Sequence, residues 1–149
     1  MNERLFRGLG TALVTPFRGG DVDWAAYDNL IERQIAAGTE ALIVCGTTGE
    51  PATLTARERE SLIRRAVEVC NGRCAVVAGT GANDTARAIE LSRQAQALGA
   101  DALLLVTPYY NKTTQAGLIA HYTAVAEHVD LPMILYNVPS RKGLNLLPE

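Results

Sequence analysis

Lysine is scarce in this sequence. Of its fourteen basic side chains, only Lys112 and Lys142 are lysines, and both sit in polar stretches. Neither has the apolar, desolvated setting that lowers an ammonium pKa and frees an amine for imine chemistry. Charge of one sign is also missing. A net charge of -2 argues against a broad basic surface for nucleic acid or anionic membrane. No apolar run approaches the roughly 20 residues of a bilayer span. Met1-Asn2-Glu3-Arg4 is not followed by a signal-peptide core, so the chain reads as cytoplasmic. The three cysteines are odd in number. Cys45 closes an apolar run, and Cys70 and Cys74 flank a turn; they read as structural or free thiols, because a metal would need further ligands nearby. No Gly-x-Gly-x-x-Gly follows the first strand. Gly79-Thr80-Gly81 follows the third and lacks the last glycine, which weakens a dinucleotide reading. Neither a metal nor a cofactor is expected.

What is present is a regular alternation of strands and helices. A hydrophobic content of 48% with 20% charged residues over 149 positions suffices for one globular domain with a real core. Leu9 to Val14 reads as a first strand ended by Pro16, followed by a turn at Gly19-Gly20-Asp21. Asp23 is a plausible N-cap for a helix facing inward through Tyr27, Leu30, Ile31 and Ile35, and Gly38 ends it. Ala41 to Cys45 is the second strand. Thr55 and Glu58 form a capping box for a helix with Leu62, Ile63, Ala66 and Val69 inward. Ala75 to Ala78 is the third strand. Asn83 or Asp84 caps the next helix, which carries Ala88, Leu91, Ala95 and Leu98. Ala102 to Val106 follows, then a helix from Thr113 or Thr114 with Leu118, Tyr122, Val125 and Val129. Pro132 breaks it before Met133 to Tyr136. His121 and His128 lie seven apart on that helix and read as surface residues.

Ala37 to Val44 and Leu98 to Leu105 echo each other, two βα units apart. Such repetition implies a parallel sheet with right-handed crossovers, either an open doubly wound sheet or part of a (β/α)8 barrel. Chemistry spread over several strand ends favours the barrel. Leu147-Pro148-Glu149 looks like the opening of another helix, and a barrel of this kind runs to about 250 residues. Residues 1–149 are therefore expected to be the N-terminal part of a single barrel domain, about the first four and a half βα units.

Three loops rich in hydroxyls leave the carboxyl ends of apolar strands, the edge where ligands bind in parallel α/β folds. They are Gly46-Thr47-Thr48-Gly49-Glu50, Thr107-Pro108-Tyr109-Tyr110-Asn111 and Tyr136-Asn137-Val138-Pro139-Ser140-Arg141. Thr47 and Thr48 between glycines suit a carboxylate held by hydroxyls and backbone N–H groups, or equally a tight turn with capping threonines. One of Tyr109 and Tyr110 could simply pack. Tyr136 ends an apolar strand, so its hydroxyl finds a core partner or faces a pocket. Arg141 could grip a carboxylate in two-point fashion. Hydroxyls plus one arginine suggest proton relays and carboxylate binding.

These loops, with Val77-Ala78-Gly79-Thr80-Gly81-Ala82-Asn83 and in this order and spacing, resemble the dihydrodipicolinate synthase (4-hydroxy-tetrahydrodipicolinate synthase) family over essentially the whole chain. The resemblance implies a (β/α)8 TIM barrel, a homotetramer built as a dimer of dimers. It also implies a lyase-type condensation of pyruvate with L-aspartate 4-semialdehyde through a lysine Schiff base, on the way to diaminopimelate and lysine. By motif, Thr47 and Tyr110 become the proton relay, with Tyr110 reaching into the partner subunit's site. Tyr136 becomes the general acid/base, Thr48 a holder of the pyruvate carboxylate, and Arg141 of the semialdehyde carboxylate. The family's imine-forming lysine lies on the next strand, beyond Glu149, so this chain alone is expected to be inactive. Related sialic-acid and sugar-acid lyases share the pyruvate end of the mechanism but generally lack an arginine in the Tyr-Asn-x-Pro loop, so Arg141 favours the synthase. A catalytically inactive half-barrel serving as a binding subunit is the alternative of another class.

One further departure concerns regulation. Lysine-inhibited members line a pocket near the dimer interface with a histidine and an acid. The matching positions here are Arg59 and Arg87, with Asn83 and Tyr109 retained. An arginine in place of an acid repels the ammonium of lysine, so weak or no lysine inhibition is expected.

Overall fold

A computed structural model describes residues 5–148; the readings made on Met1 to Arg4 and on Glu149 lie outside the described residues. Five strands form one parallel sheet: β1 (Gly10–Ala12), β4 (Ala41–Val44), β5 (Ala75–Gly79), β6 (Ala102–Val106) and β7 (Met133–Tyr136). Their spatial order is their order in the chain. An open doubly wound sheet reverses direction at a switch point, and this sheet does not, which decides between the two expected architectures in favour of barrel curvature. β2 (Phe17–Arg18) and β3 (Asp21–Val22) make a small antiparallel hairpin around the expected Gly19-Gly20 turn. Its two-residue strands are too short for any alternation of apolar and polar residues to announce them. β1 is also shorter than Leu9 to Val14, although Leu13 N–H still donates to the Ile43 carbonyl at 3.0 Å.

The helices pack on one face: α1 (Trp24–Ala36), α2 (Ala56–Cys70), α3 (Thr85–Ala97) and α4 (Gln115–Ala126). Each begins where a short polar side chain takes up an orphan backbone N–H. Asp23 accepts from Ala26, Thr55 and Glu58 close the capping box, Asp84 accepts from Ala86, and Thr114 accepts from Gly117. The open choices between Asn83 and Asp84, and between Thr113 and Thr114, thus fall to the second of each pair.

Strand residues alternate between two faces, as the period of two requires. Leu42, Val44, Val76, Ala78, Leu103 and Leu105 join the helices' Tyr27, Ile31, Leu62, Ala66, Ala88, Ala95, Leu118 and Val125 in the main core. Ala41, Val77 and Ala102, with Ile43, Leu104 and Ile134 against them, form the second cluster on the opposite face. Burying one such aliphatic side chain fully is worth about 1.5–3 kcal/mol. The sequence echo has a structural counterpart: Gly38 and Gly99 both end helices at positive φ, 84° and 89°, where a Cβ would be strained.

His121 is not a surface residue. It is 6% exposed, its ring packs edge-on against Tyr122 at 5.1 Å, and its Nδ1 shares a hydrogen bond with Thr85 Oγ1 at 2.9 Å. Burial holds its pKa below the ordinary imidazole range. The spacing of seven was misleading because α4 turns Leu118, His121, Tyr122 and Val125 inward together. His128, by contrast, is exposed. The stretch after β7 is a short helix, α5 (Pro139–Lys142), with proline at its start and Gly143 at positive φ as its cap. Leu147 and Pro148 are not helical. Asn137 pins the segment that leads to them, receiving the Leu146 N–H at 3.1 Å and donating to Asn145 Oδ1 at 2.8 Å.

Candidate active site

All three hydroxyl-rich loops emerge at the carboxyl ends of parallel strands of one sheet, β4, β6 and β7, with β5 between the first two. The first is held tightly. Residues Thr47–Gly49 form a single 3-10 turn, and Thr15 Oγ1 donates to the Gly49 carbonyl at 2.8 Å. Gly49 fits closely there: a Cβ would stand 3.1 Å from the Leu13 carbonyl oxygen, a tight contact. Under the turn, Cys45 takes a left-handed φ of 54°, and burial pushes its thiol up to about 11.

A cavity of about 550 Å³ opens against these strand ends. Thr47 and Tyr136 line it together, as do Tyr109, Leu104 and Val106. Tyr136, 38% exposed, thus resolves its two alternatives by facing the cavity. The other expected site residues stand outside its lining. Thr48 is exposed on the turn, and Arg141 is exposed on α5. Tyr110 is 94% exposed and holds a φ of 71°, uncommon for an aromatic residue. Asn83 is half-buried; its carbonyl accepts from Asn111 Nδ2 at 2.9 Å, tying the β5 and β6 loops together. Tyr109 is therefore the one of the tyrosine pair that packs into the cavity.

Lys142 reads from the sequence as a polar-loop residue. It lines the cavity instead, with its ammonium 4.7 Å from the centre of the Tyr109 ring, a cation–π contact. The run Pro139-Ser140-Arg141-Lys142-Gly143 carried a usable signal, proline at a helix start and glycine just past its end. Arg59 enters the same cavity from α2 and donates through Nη2 to the Gly79 carbonyl. Burial pulls its pKa below the ordinary guanidinium value; Cys45 counters this and Arg87 adds to it.

Comparison with known proteins agrees with this fold. The Dihydrodipicolinate synthetase family profile matches residues 5–149. A 4-hydroxy-tetrahydrodipicolinate synthase of Thermoanaerobacter sp. (strain X514) is 56% identical over 145 residues, 97% of this chain and 49% of that protein. The crystal structure of dihydrodipicolinate synthase from Thermotoga maritima superposes with a TM-score of 0.95 at 48% identity, over 97% of this chain and 49% of that one. The chloride-inhibited dihydrodipicolinate synthase of Acinetobacter baumannii, solved with pyruvate, gives a TM-score of 0.91 at 52% identity over 93% and 48% of the two chains. The chain spans about half the length of the curated relatives it matches, and its five parallel strands correspond to half of their barrel. By profile, identity and superposition alike, the chain belongs to the dihydrodipicolinate synthetase family.

Proposed function

We propose that residues 1–149 are the first four and a half βα units of a (β/α)8 barrel domain that condenses pyruvate with L-aspartate 4-semialdehyde to 4-hydroxy-tetrahydrodipicolinate. The observation that carries this reading is the shared cavity. Thr47 and Tyr136 bring hydroxyls from two different strand ends to one space, which is what a proton relay needs. Tyr136 serves as general acid/base at the imine and Thr47 passes the proton on. Tyr110, almost wholly exposed, completes the relay from a partner subunit in a dimer of dimers. Thr48, on the turn beside Thr47, holds the pyruvate carboxylate with backbone N–H groups. Arg141 supplies the two-point grip on the semialdehyde carboxylate. The reaction belongs to lysine and diaminopimelate biosynthesis in the cytoplasm.

The imine-forming lysine is neither Lys112 nor Lys142. Lys112 is exposed, and Lys142 is engaged with Tyr109. Tyr109 lines the cavity together with Arg59 and Arg87, and these two arginines disfavour the ammonium groups of lysine as an inhibitor. The test is borohydride trapping of the full-length protein with pyruvate, followed by peptide mapping. A reduced pyruvyl adduct on a third lysine is expected. An adduct on Lys112 or Lys142, or none at all, would overturn the assignment.

A further inference from the structure

The turn between α2 and β5 brings two thiols together. Cys70 is the last residue of α2, and Cys74 immediately precedes β5. Between them Asn71 and Gly72 both take left-handed backbone, at φ 45° and 73°, which these residue types tolerate best. The chain therefore doubles back, and Arg73 N–H donates to the Cys70 carbonyl at 2.9 Å. The Arg73 side chain fixes the turn. Its Nε donates to the same carbonyl at 3.1 Å, and its terminal nitrogens fork onto Glu32 of α1 at 2.8 and 2.6 Å.

Held this way, Cys70 Sγ and Cys74 Sγ lie 3.3 Å apart. A disulfide spans about 2.05 Å, so roughly 1.3 Å of further approach joins them. The two thiols are unequal. Cys70 is 1% exposed, and burial, with Cys74 beside it, pushes its thiol above the ordinary range. Cys74 is half-buried and lines a separate cavity of about 540 Å³ at the amino-terminal rim, beside Glu40 and Asp101. One sulfur can meet a solute while the other waits behind it. A metal would need further ligands, and no group of three or more His, Cys, Asp or Glu side chains suited to one occurs among the described residues. An accessible thiol touching a sheltered one suits oxidation followed by resolution.

We propose that Cys70 and Cys74 form a redox-reversible modification site, in which a hydroperoxide oxidises Cys74 and Cys70 closes the pair to a disulfide. In the first step the Cys74 sulfur attacks a peroxide oxygen. The S–O bond forms, the O–O bond breaks, and water or an alcohol leaves with the thiol proton. In the second step the Cys70 sulfur attacks the sulfenic sulfur; the S–S bond forms, the S–O bond breaks, and the hydroxyl leaves as water with the Cys70 proton. Two thiols lose two electrons, and the peroxide gains them. The pair lies at the opposite ends of the strands from Thr47 and Tyr136, so the proposal does not rest on the reaction assigned to those residues.

Hydrogen peroxide treatment of the reduced full-length protein tests it, with an acid quench, alkylation under denaturing conditions and tryptic mapping. Trypsin cuts after Arg73, so residues 66–73 and 74–87 stay joined only through the disulfide. A joined species about 2 Da below the sum of the two peptides is expected, and dithiothreitol should return both as free thiols. Buried Cys45 should be lost at least tenfold more slowly. In Cys70→Ser, Cys74 should accumulate a sulfenic acid that dimedone captures; in Cys74→Ser, Cys70 should remain a thiol. Recovery of both cysteines as alkylated thiols from the treated parent would overturn the proposal. So would Cys74 joined to a different cysteine, loss of Cys45 as fast as the pair, or dimedone capture at Cys70 in Cys74→Ser.

Discussion

Gly79→Ala tests how the sheet holds the Thr47 turn. Gly79 is the last residue of β5 and is buried. A Cβ built on it would stand 2.4 Å from the Cys45 carbonyl oxygen, 2.8 Å from its carbon and 2.9 Å from Gly46 N. All three atoms are backbone, so no side chain can swing away. To reach even a tight 3.0 Å contact from 2.4 Å, the peptide between Cys45 and Gly46 must retreat by about 0.6 Å, and Cys45 already occupies left-handed backbone space. Overpacking of this kind costs about 1–3 kcal/mol. The retreat is passed to Thr47, the next residue but one, and a displacement of about 1 Å in a catalytic group costs on the order of 10²-fold in rate. Expected in the full-length protein is a fall in kcat of about 10- to 100-fold alongside a modestly lowered unfolding temperature. Steady-state kinetics and thermal unfolding measure the two. Gly10→Ala is the control, since its Cβ meets nothing closer than 3.5 Å. Activity and melting of Gly79→Ala both indistinguishable from the parent would refute the reasoning.

Tyr136→Phe should lower kcat by about 10²- to 10⁴-fold, the range for a lost general acid/base. It should leave the unfolding temperature unchanged, because the residue is 38% exposed and its hydroxyl makes no hydrogen bond among the described residues; a variant within a few-fold of parent kcat removes Tyr136 from the mechanism. Glu40 receives the backbone N–H groups of Arg7 and Gly8 at 2.9 and 3.0 Å, which hold its carboxyl below the ordinary range. A depressed folded-state pKa contributes stability above the unfolded value that vanishes as pH falls through the folded one. Glu40→Gln should therefore be less stable than the parent at neutral pH, with the gap closing in acid, and a gap independent of pH would contradict this. L-lysine should not inhibit the full-length protein below millimolar concentration, given Arg59 and Arg87 in the cavity wall; a sub-millimolar inhibition constant in initial-rate assays would show that another acid supplies the missing partner.

The main strands and helices were legible because each carries a local signal that agrees with its packing. Thr55 and Glu58 announce α2, and Leu62, Ile63 and Ala66 recur on one side of it. Features fixed by tertiary context were not. The β2–β3 hairpin is too short for periodicity to register. His121 looks polar in isolation, yet its partner Thr85 lies thirty-six residues away. Among the residues that line the cavity, Thr47 and Tyr136 were legible as candidates because hydroxyls at the ends of apolar strands have few structural uses. Lys142 was missed because a one-turn helix gives no hydrophobic face to read, and its neighbour Tyr109 comes from another strand.

The acid that follows the glycine in each echoed segment does the same work twice. Glu40 reaches back to the N–H groups of Arg7 and Gly8 ahead of β1, and Asp101 Oδ2 receives the Val76 N–H of β5 at 2.7 Å. Both clamps bind one strand to its neighbour at the amino-terminal rim, while the hydroxyls and guanidiniums stand at the other. A lineage carrying this sheet can therefore exchange the residues that choose a substrate or an effector without loosening the joints that keep the strands in register. Innovation and inheritance are written on opposite ends of the same strands.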